Sequence, residues 1–517
     1  MSRTPGKLRL WPLLLVGAAV AVSMALTWVG ATDSSEQIRQ EKVMATILTC
    51  VLASMLVLVW AGLFSGLPKW ARIRLFLVLV GMGVAFAAVF RYRGVDGDLV
   101  PQFELRFRSS ATAPATEAGT ELPGASDFSQ FLGSARDARV SGISLARDWE
   151  STPPRLVWRR PVGYGWSGFA VVGSAAVTHE QHSEEERVIR YELSTGRVVW
   201  ASREVAHYEN PLAGRGPRAT PTLANGRVYA MGGTGLLTVL DLASGELLWK
   251  RDVLAESGRG VPVWGKSDSP LLVDELVVVA GGDSLLAYRA ESGELAWSAG
   301  SDRPGYGSPF VTRIDGVRQI VSFNSASLSG HEPMEGRVLW RVDWPRQQPN
   351  VAQPLLLPGN RVLASSGYGV GAKLFEVRRL TGSSDMSVEL VWESLRLKAK
   401  FANFVFHEGF VYGLDDGILV CLDPENGRRR WKGGRYGHGQ LLLVRDAVGG
   451  GALLLVQGEQ GEVFLVEPSP DGLRELTHFR AMDEKIWNSP ALAGRYLLIR
   501  NDAEAALFEL PVVASTS

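Results

Sequence analysis

One ten-residue pattern constrains this chain more than any other, and it recurs. Leu240-Asp241-Leu242-Ala243-Ser244-Gly245-Glu246-Leu247-Leu248-Trp249 reads as strand, tight turn, strand. Ala243-Ser244-Gly245 is turn chemistry, with Gly245 free to take positive φ. Tyr191 to Trp200 repeats the pattern, as do Tyr288 to Trp297 and Cys421 to Trp431; Gly336 to Trp340 and Leu374 to Trp392 are looser copies. The closing residues Trp200, Trp249, Trp297, Trp340, Trp392 and Trp431 lie 49, 48, 43, 52 and 39 positions apart. A strand-rich period of this length is the mark of a propeller blade. Upstream of each hairpin runs a second strand pair, opened by Thr220-Pro221, Ser269-Pro270, Ser308-Pro309, Gln353-Pro354, Asn403-Phe404 or Ser489-Pro490. Four strands per unit follow. Proline is tolerated there because a first strand residue can lack a ladder donor.

The count comes from the ends. Pro154 to Arg159 is a strand ending in Trp158 with no hairpin before it, and Ala503 to Leu510 is a third strand with no fourth after it. Pairing the two completes a blade from both termini and closes the ring without a free edge. With Trp158 as one closer and Leu476 standing where Trp is replaced, the expectation is an all-β, eight-bladed propeller.

The first ninety residues are of another kind. Three apolar runs, about 11–30, 43–66 and 75–90, make residues 1–94 a membrane anchor of three transmembrane helices. Arg3, Lys7, Arg9, Lys69, Arg72 and Arg74 flank one side, against Arg39, Lys42, Arg91 and Arg93 on the other. This bias puts the N-terminus inside and the C-terminal domain outside, in a multi-pass inner-membrane protein with a periplasmic propeller. Residues 95–126 read as a juxtamembrane segment and flexible linker, and 127–517 as the propeller. Lys plus Arg and Asp plus Glu number 54 each, so no global field argues for nucleic acid. Cys50 and Cys421 fall in different segments, which excludes a disulfide framework.

The hairpins resemble the repeats of pyrroloquinoline-quinone-type (PQQ-like) propellers, Ala-x-Asp-x-x-Thr-Gly-x-x-x-Trp, most closely at Val239 to Trp249. Asp127-Phe128-Ser129-Gln130-Phe131-Leu132-Gly133 also looks like the opening of many such bacterial proteins, and a membrane-anchored, uncharacterised branch is the nearest match. The resemblance implies the fold over about 127–512. Its members include an outer-membrane-assembly scaffold and quinoprotein dehydrogenases. The dehydrogenases hold PQQ against adjacent cysteines and a calcium ion bound by Glu, Asn and Asp; this chain has no adjacent cysteines.

Segments joining one blade to the next converge on one mouth of the channel. There the sequence places Trp166, Arg218, Lys266, Tyr306, Lys400, His438, Lys485, Trp487 and Asn488. Cations among flat aromatic faces suit an anionic planar ligand or an acidic peptide. Arg218, Lys266, Lys400 and Lys485 are expected to face a common axis, with Asp268 as the one obvious compensating charge. No metal-ligand spacing and no nucleophile elbow is present, so catalytic and metal residues are expected to be none. The expectation is a membrane-anchored extracytoplasmic propeller that binds or scaffolds a protein or an anionic ligand. The alternative is a PQQ-dependent membrane oxidoreductase.

Overall fold

The computed structural model describes residues 10–28, 39–106, 122–345, 349–382, 385–447 and 451–513. It divides into two units. The first holds three helices, Trp11–Trp28, Arg39–Val59 with a π-helical continuation Trp60–Phe64, and Lys69–Val89. All three are long and apolar enough to cross a membrane. The third starts earlier than the apolar run at 75, because Pro68 caps it and Arg72 turns its Nε to the Leu67 carbonyl at 2.7 Å. Long basic stems can lie along a helix while their charge stays outside the apolar layer. The stretch expected as a juxtamembrane segment is a β-hairpin instead, Phe90–Val95 against Pro101–Leu105. Asp96 forms its turn by accepting from the Asp98 and Val100 amides, each at 2.9 Å. Of the expected linker, residues 107–121 lie outside the described residues. Residues 122–126 are docked on the propeller: Gly494 N–H donates to Ser126 Oγ at 2.8 Å.

The second unit is an eight-bladed propeller of four-stranded antiparallel sheets. Blades 1 to 7 span 170–201, 222–252, 271–299, 310–343, 355–394, 404–435 and 440–480. Blade 8 takes three strands from 491–509 and its outer strand, Arg155–Pro161, from the other end of the domain. Terminal closure therefore occurs as expected.

The repeat has a plain physical reason. Five of the closing indoles lie on the turn glycine of the next blade. A Cβ on Gly245, which has φ +77°, would come within 2.5 Å of the Trp200 ring. Trp158 lies likewise on Gly196, Trp249 on Gly293, Trp297 on Gly336 and Trp392 on Gly427. Indole N–H groups finish the contact: Trp200 donates to Leu242 O at 3.0 Å and Trp249 to Ala290 O at 2.9 Å. The glycine thus meets two demands, positive φ and absence of a side chain. Blade 7 corrects one expectation. The register pairs Leu465 with Thr477 across a bulge at Leu476, as Val239 pairs with Trp249 across a bulge at Leu248. Thr477, not Leu476, holds the tryptophan position, and its Oγ1 accepts from the backbone of the buried Trp149 at 3.1 Å.

Around the channel, Ser, Thr and Asn at the heads of inner strands tie blade to blade. Gly168 N–H donates to Thr220 Oγ1, Thr220 N–H to Ser269 Oγ, Ser269 N–H to Ser308 Oγ, and Gln353 N–H to Asn403 Oδ1. Thr220, Ser269 and Ser308, each just before a proline, are therefore inter-blade acceptors as well as strand starts.

The channel itself is threaded. Residues 126–146 run into it and hydrogen-bond to every blade in turn. Phe128 bridges Val171 of blade 1, and Ser129 O accepts from Leu223 of blade 2. Arg136 reaches Ser269 and Pro270 at the head of blade 3 and Pro309 at the head of blade 4. Gln353 of blade 5 donates to Arg136 O, and Arg139 to Phe406 O of blade 6. Arg139–Ser141 then lies parallel to Leu443–Arg445 of blade 7, and Ala146 N–H donates to Pro511 O beyond blade 8. The segment is an axle. It enters at the end away from the mouth, turns where Arg136 meets the strand heads, and goes back.

The propeller mouth as candidate functional site

The mouth is built by the connections that lead into each inner strand. Its densest part is aromatic. Trp166, from the connection into blade 1, and Trp487, from the connection into blade 8, have ring centroids 4.9 Å apart. Lys485 Nζ sits 3.9 Å from the Trp487 centroid and 5.0 Å from that of Trp166. Phe401 meets Trp487 edge-on at 5.5 Å and His438 at 5.7 Å. Glu459, in the turn of blade 7, fixes both neighbours: Oε1 accepts from Trp487 Nε1 at 2.7 Å and Oε2 from the His438 amide at 3.0 Å. Four connections and one turn thus converge on a half-buried ammonium held over two indole faces. A cation over indole is stabilised by the ring quadrupole.

The remaining predicted residues divide by burial. Arg218 stacks on Tyr208, with the guanidinium 4.3 Å from the ring centroid, and donates to Gly214 O and Gly216 O. Burial pulls it down to about 10, against the favourable pull of Tyr208 and Glu186. Tyr306 is half-buried, its phenol pushed up by burial while the Arg218 charge opposes that rise, so the two share one side of the mouth. Asn488 is buried and donates to Ser167 O at 2.8 Å, tying blade 8 to blade 1.

Lys266 and Lys400 correct the expectation of four cations offered to a ligand. Lys266 is 4% exposed and bonded directly to Asp268, which also accepts from Ala280 N–H at 2.8 Å. Lys400 is fully enclosed between His438 Nε2 at 3.2 Å, Asp416 at 3.6 Å and the face of Tyr368 at 5.6 Å. Beneath it Lys398 and Lys432 share Asp415. A charge out of water must be paired to be tolerated, and these lysines are held by such pairs. Asp268 is one of several compensating carboxylates, not the only one.

Sequence reading missed Glu186, Glu459, Tyr208, Tyr368 and Arg136. Glu186 is buried, accepts from Gly233 N–H at 3.0 Å and lies 3.7 Å from His179. Burial pushes its carboxyl up to about 7, against the pull of the Gly233 amide and Arg218. Glycines in the turn after the second strand were the available signal for Glu459, which lies between Gly458 and Gly461, and for Glu186, which accepts from Gly233.

A family model described as outer membrane protein assembly factor BamB matches residues 184–433. The assembly factor of that name from Moranella endobia is 26% identical over 219 residues, 41% of this chain and 56% of the relative. The one from Salmonella typhimurium is 33% identical over 134 residues, 25% of this chain and 29% of the relative. The chain thus spans about half, or less, of the length of these curated relatives. Quinohemoprotein alcohol dehydrogenase from Comamonas testosteroni superposes with a TM-score of 0.51 at 13% identity, covering 76% of this chain and 82% of that one. The chain carries a propeller of the PQQ-like repeat family. At that identity the dehydrogenase likeness speaks for the fold alone.

The residues of this PQQ-like propeller do not fit a calcium-held quinone. Cys421 is buried in a blade hairpin and burial pushes its thiol up to about 11, while Cys50 lies on the second apolar helix. The acids nearest the mouth are engaged, Asp268 by Lys266, Asp415 by two lysines and Glu459 by Trp487 and His438. The axle occupies the channel below them. No group of three or more potential metal ligands occurs among the described residues.

Proposed function

We propose that this chain is a membrane-tethered binding module whose propeller mouth takes an anionic group, carried by a protein partner or a small ligand. One observation carries the reading: Lys485, half-buried, lies over Trp166 and Trp487 at a mouth that Arg218 and Tyr306 share. The family supports a binding role, because the curated relatives are named as assembly factors. The threaded channel supports it further, since a ligand approaches from the mouth and meets a floor. Three apolar helices support a multi-pass anchor, and the Lys and Arg distribution supports an extracytoplasmic, periplasmic propeller at the inner membrane.

Two experiments test this. A C-terminal alkaline phosphatase fusion should be active and a C-terminal green fluorescent fusion dark; the reverse pair contradicts the orientation. In solution, the full-length protein should bind a rhodamine-labelled hexaglutamate peptide and release it as salt rises. A hexalysine peptide bound equally well would contradict the anionic class.

A further inference from the structure

Two arginines lie wholly inside the propeller, Arg136 at 3% and Arg500 at 1% exposure. Both point into backbone carbonyls near the heads of inner strands. They differ in how completely they are satisfied. Arg500 engages each guanidinium nitrogen: Nε donates to Asn501 O, Nη1 to Thr178 Oγ1 and His179 O, and Nη2 to Gly163 O and Gly165 O. The Glu180 carboxylate offsets part of its burial. Arg136 engages two nitrogens, Nη1 with Pro309 O at 2.5 Å and Nη2 with Ser269 O at 3.1 Å and Pro270 O at 2.6 Å. Its Nε–H is buried and has no partner.

Nor, among the described residues, does a carboxylate offset the Arg136 charge. Burial alone pulls it down, to about 9. Asp137, next in sequence, turns to Arg139 at 4.0 Å instead. A buried cation with carbonyl partners but no anion keeps an unpaid electrostatic cost, and an orphaned donor adds to it. The place of this gap matters. Ser269 and Pro270 follow Lys266 and Asp268 directly, and Pro309 follows Tyr306. Arg136 therefore lies at the base of the mouth, at the turn of the axle. Gln353, whose Nε2 donates to the Arg136 carbonyl, has a buried Oε1 that is also without a partner, and so has Asn350, three residues before it, at Oδ1. Their amide nitrogens donate to the Asn324 and Arg136 carbonyls, which fixes the oxygen assignment. A group that accepts from Arg136 and donates to these oxygens would satisfy all three.

We infer that Arg136 is an oxyanion anchor at the base of the mouth, donating its Nε–H to a carboxylate or phosphate oxygen, with a phosphate hydroxyl or accompanying water donating to Asn350 and Gln353. This rests on the reading of the mouth as an anionic-ligand site and names where the anion ends. Lys485 and the indoles hold the approach; Arg136 holds the terminus. No covalent step is involved.

Selenate, an oxyanion with an anomalous signal, tests the site in wild-type crystals of the full chain. The expected result is an anomalous peak within about 4 Å of Arg136 Nε. Absence of a peak there overturns the inference, whether or not one appears at Lys485. In solution, inorganic phosphate should raise the melting midpoint of the full-length protein in a saturable way. Arg136→Lys keeps the charge and loses the Nε–H, and should weaken that response about tenfold or more. An unchanged phosphate response in a folded Arg136→Lys protein overturns the inference. If the variant does not fold, the selenate peak decides. Lys485→Met separates the two readings: a lost hexaglutamate interaction with an intact selenate peak supports both, and an intact hexaglutamate interaction with a peak at Arg136 removes the mouth reading while keeping the anchor.

Discussion

Around its rim the propeller repeats one contact, and along its axis it repeats almost none. At the rim an indole lies on the next blade's turn glycine at five junctions, and small spacing changes leave the geometry intact. At the axis each connection solves the problem of a buried or crowded cation differently. Lys266 takes Asp268, Lys400 takes Asp416 and His438, Arg218 takes Tyr208, Lys485 takes two indoles, and Arg136 takes carbonyls from two blades. The comparison separates what a ring needs in order to close from what one particular ring uses. Uniform contacts hold the fold; the departures mark where binding can be specific.

The largest expected effect is at the axis. Asp268→Asn leaves the Lys266 ammonium buried without a counter-charge and should cost about 3–5 kcal/mol in denaturant melts. Pairing it with Lys266→Met should recover most of that loss; a single variant within about 1 kcal/mol of wild type would show that the pair does not support the mouth. Next comes Glu186. Its folded-state value of about 7 lies above the ordinary 4.5, so its contribution is fully present below the lower value and is lost as pH rises through the upper one. The difference is on the order of 3 kcal/mol. The buried His179 beside Glu186 is pulled down by burial to about 4 and opposes that trend at the acid end, so the test is the difference: Glu186→Gln should lose the fall in relative stability between pH 5 and pH 8, and a pH profile parallel to wild type would assign the titration to another group.

The rim gives a smaller, sharper test. Gly245 and Gly226 have nearly the same φ, +77° and +72°, but only Gly245 faces a neighbour's indole, with nothing within 4 Å of a Cβ at Gly226. Gly226→Ala should cost about 1–2 kcal/mol for the left-handed backbone alone. Gly245→Ala should cost about 1–3 kcal/mol more, for displacing Trp200. Equal costs would mean that the glycine serves the turn and not the contact. The smallest expected stability effect is that of Lys485→Met, about 1 kcal/mol or less, because cation–π contacts at partly exposed sites are modest.

The same contrast explains what could be read from the chain. Rim contacts recur every 39 to 52 positions, so Gly196, Gly245, Gly293 and Gly427 with their tryptophans gave away the blades, and the unpaired ends at Pro154 and Ala503 gave away their closure. Leu476 was misplaced by one residue because a bulge, invisible to periodicity, moves Thr477 into register. Axis residues meet partners far away in sequence. Arg136 and Pro309 are 173 positions apart, and no local pattern links them. Lys266 looked available because a ring position says where a side chain starts, while its fate depends on which acid the next strand brings beside it. Glu459 sits in the turn between Gly458 and Gly461 that reads as a plain connection, and Glu186 is a strand residue whose partner, Gly233, belongs to the next blade. The hairpin at 90–105 was hidden by its charged residues, Arg91, Arg93 and Glu104, which pair across its strands.

The central claim is that Lys485 serves a ligand whereas Lys266 serves the fold. The direct measurement is fluorescence anisotropy of rhodamine-labelled hexaglutamate against the full-length wild-type protein, Lys485→Met, and the Lys266→Met/Asp268→Asn double variant. The expected result is affinity about tenfold weaker for Lys485→Met with a stability loss of about 1 kcal/mol or less, and near-wild-type affinity for the double variant. Wild-type affinity in Lys485→Met, with loss confined to the double variant, would contradict the account.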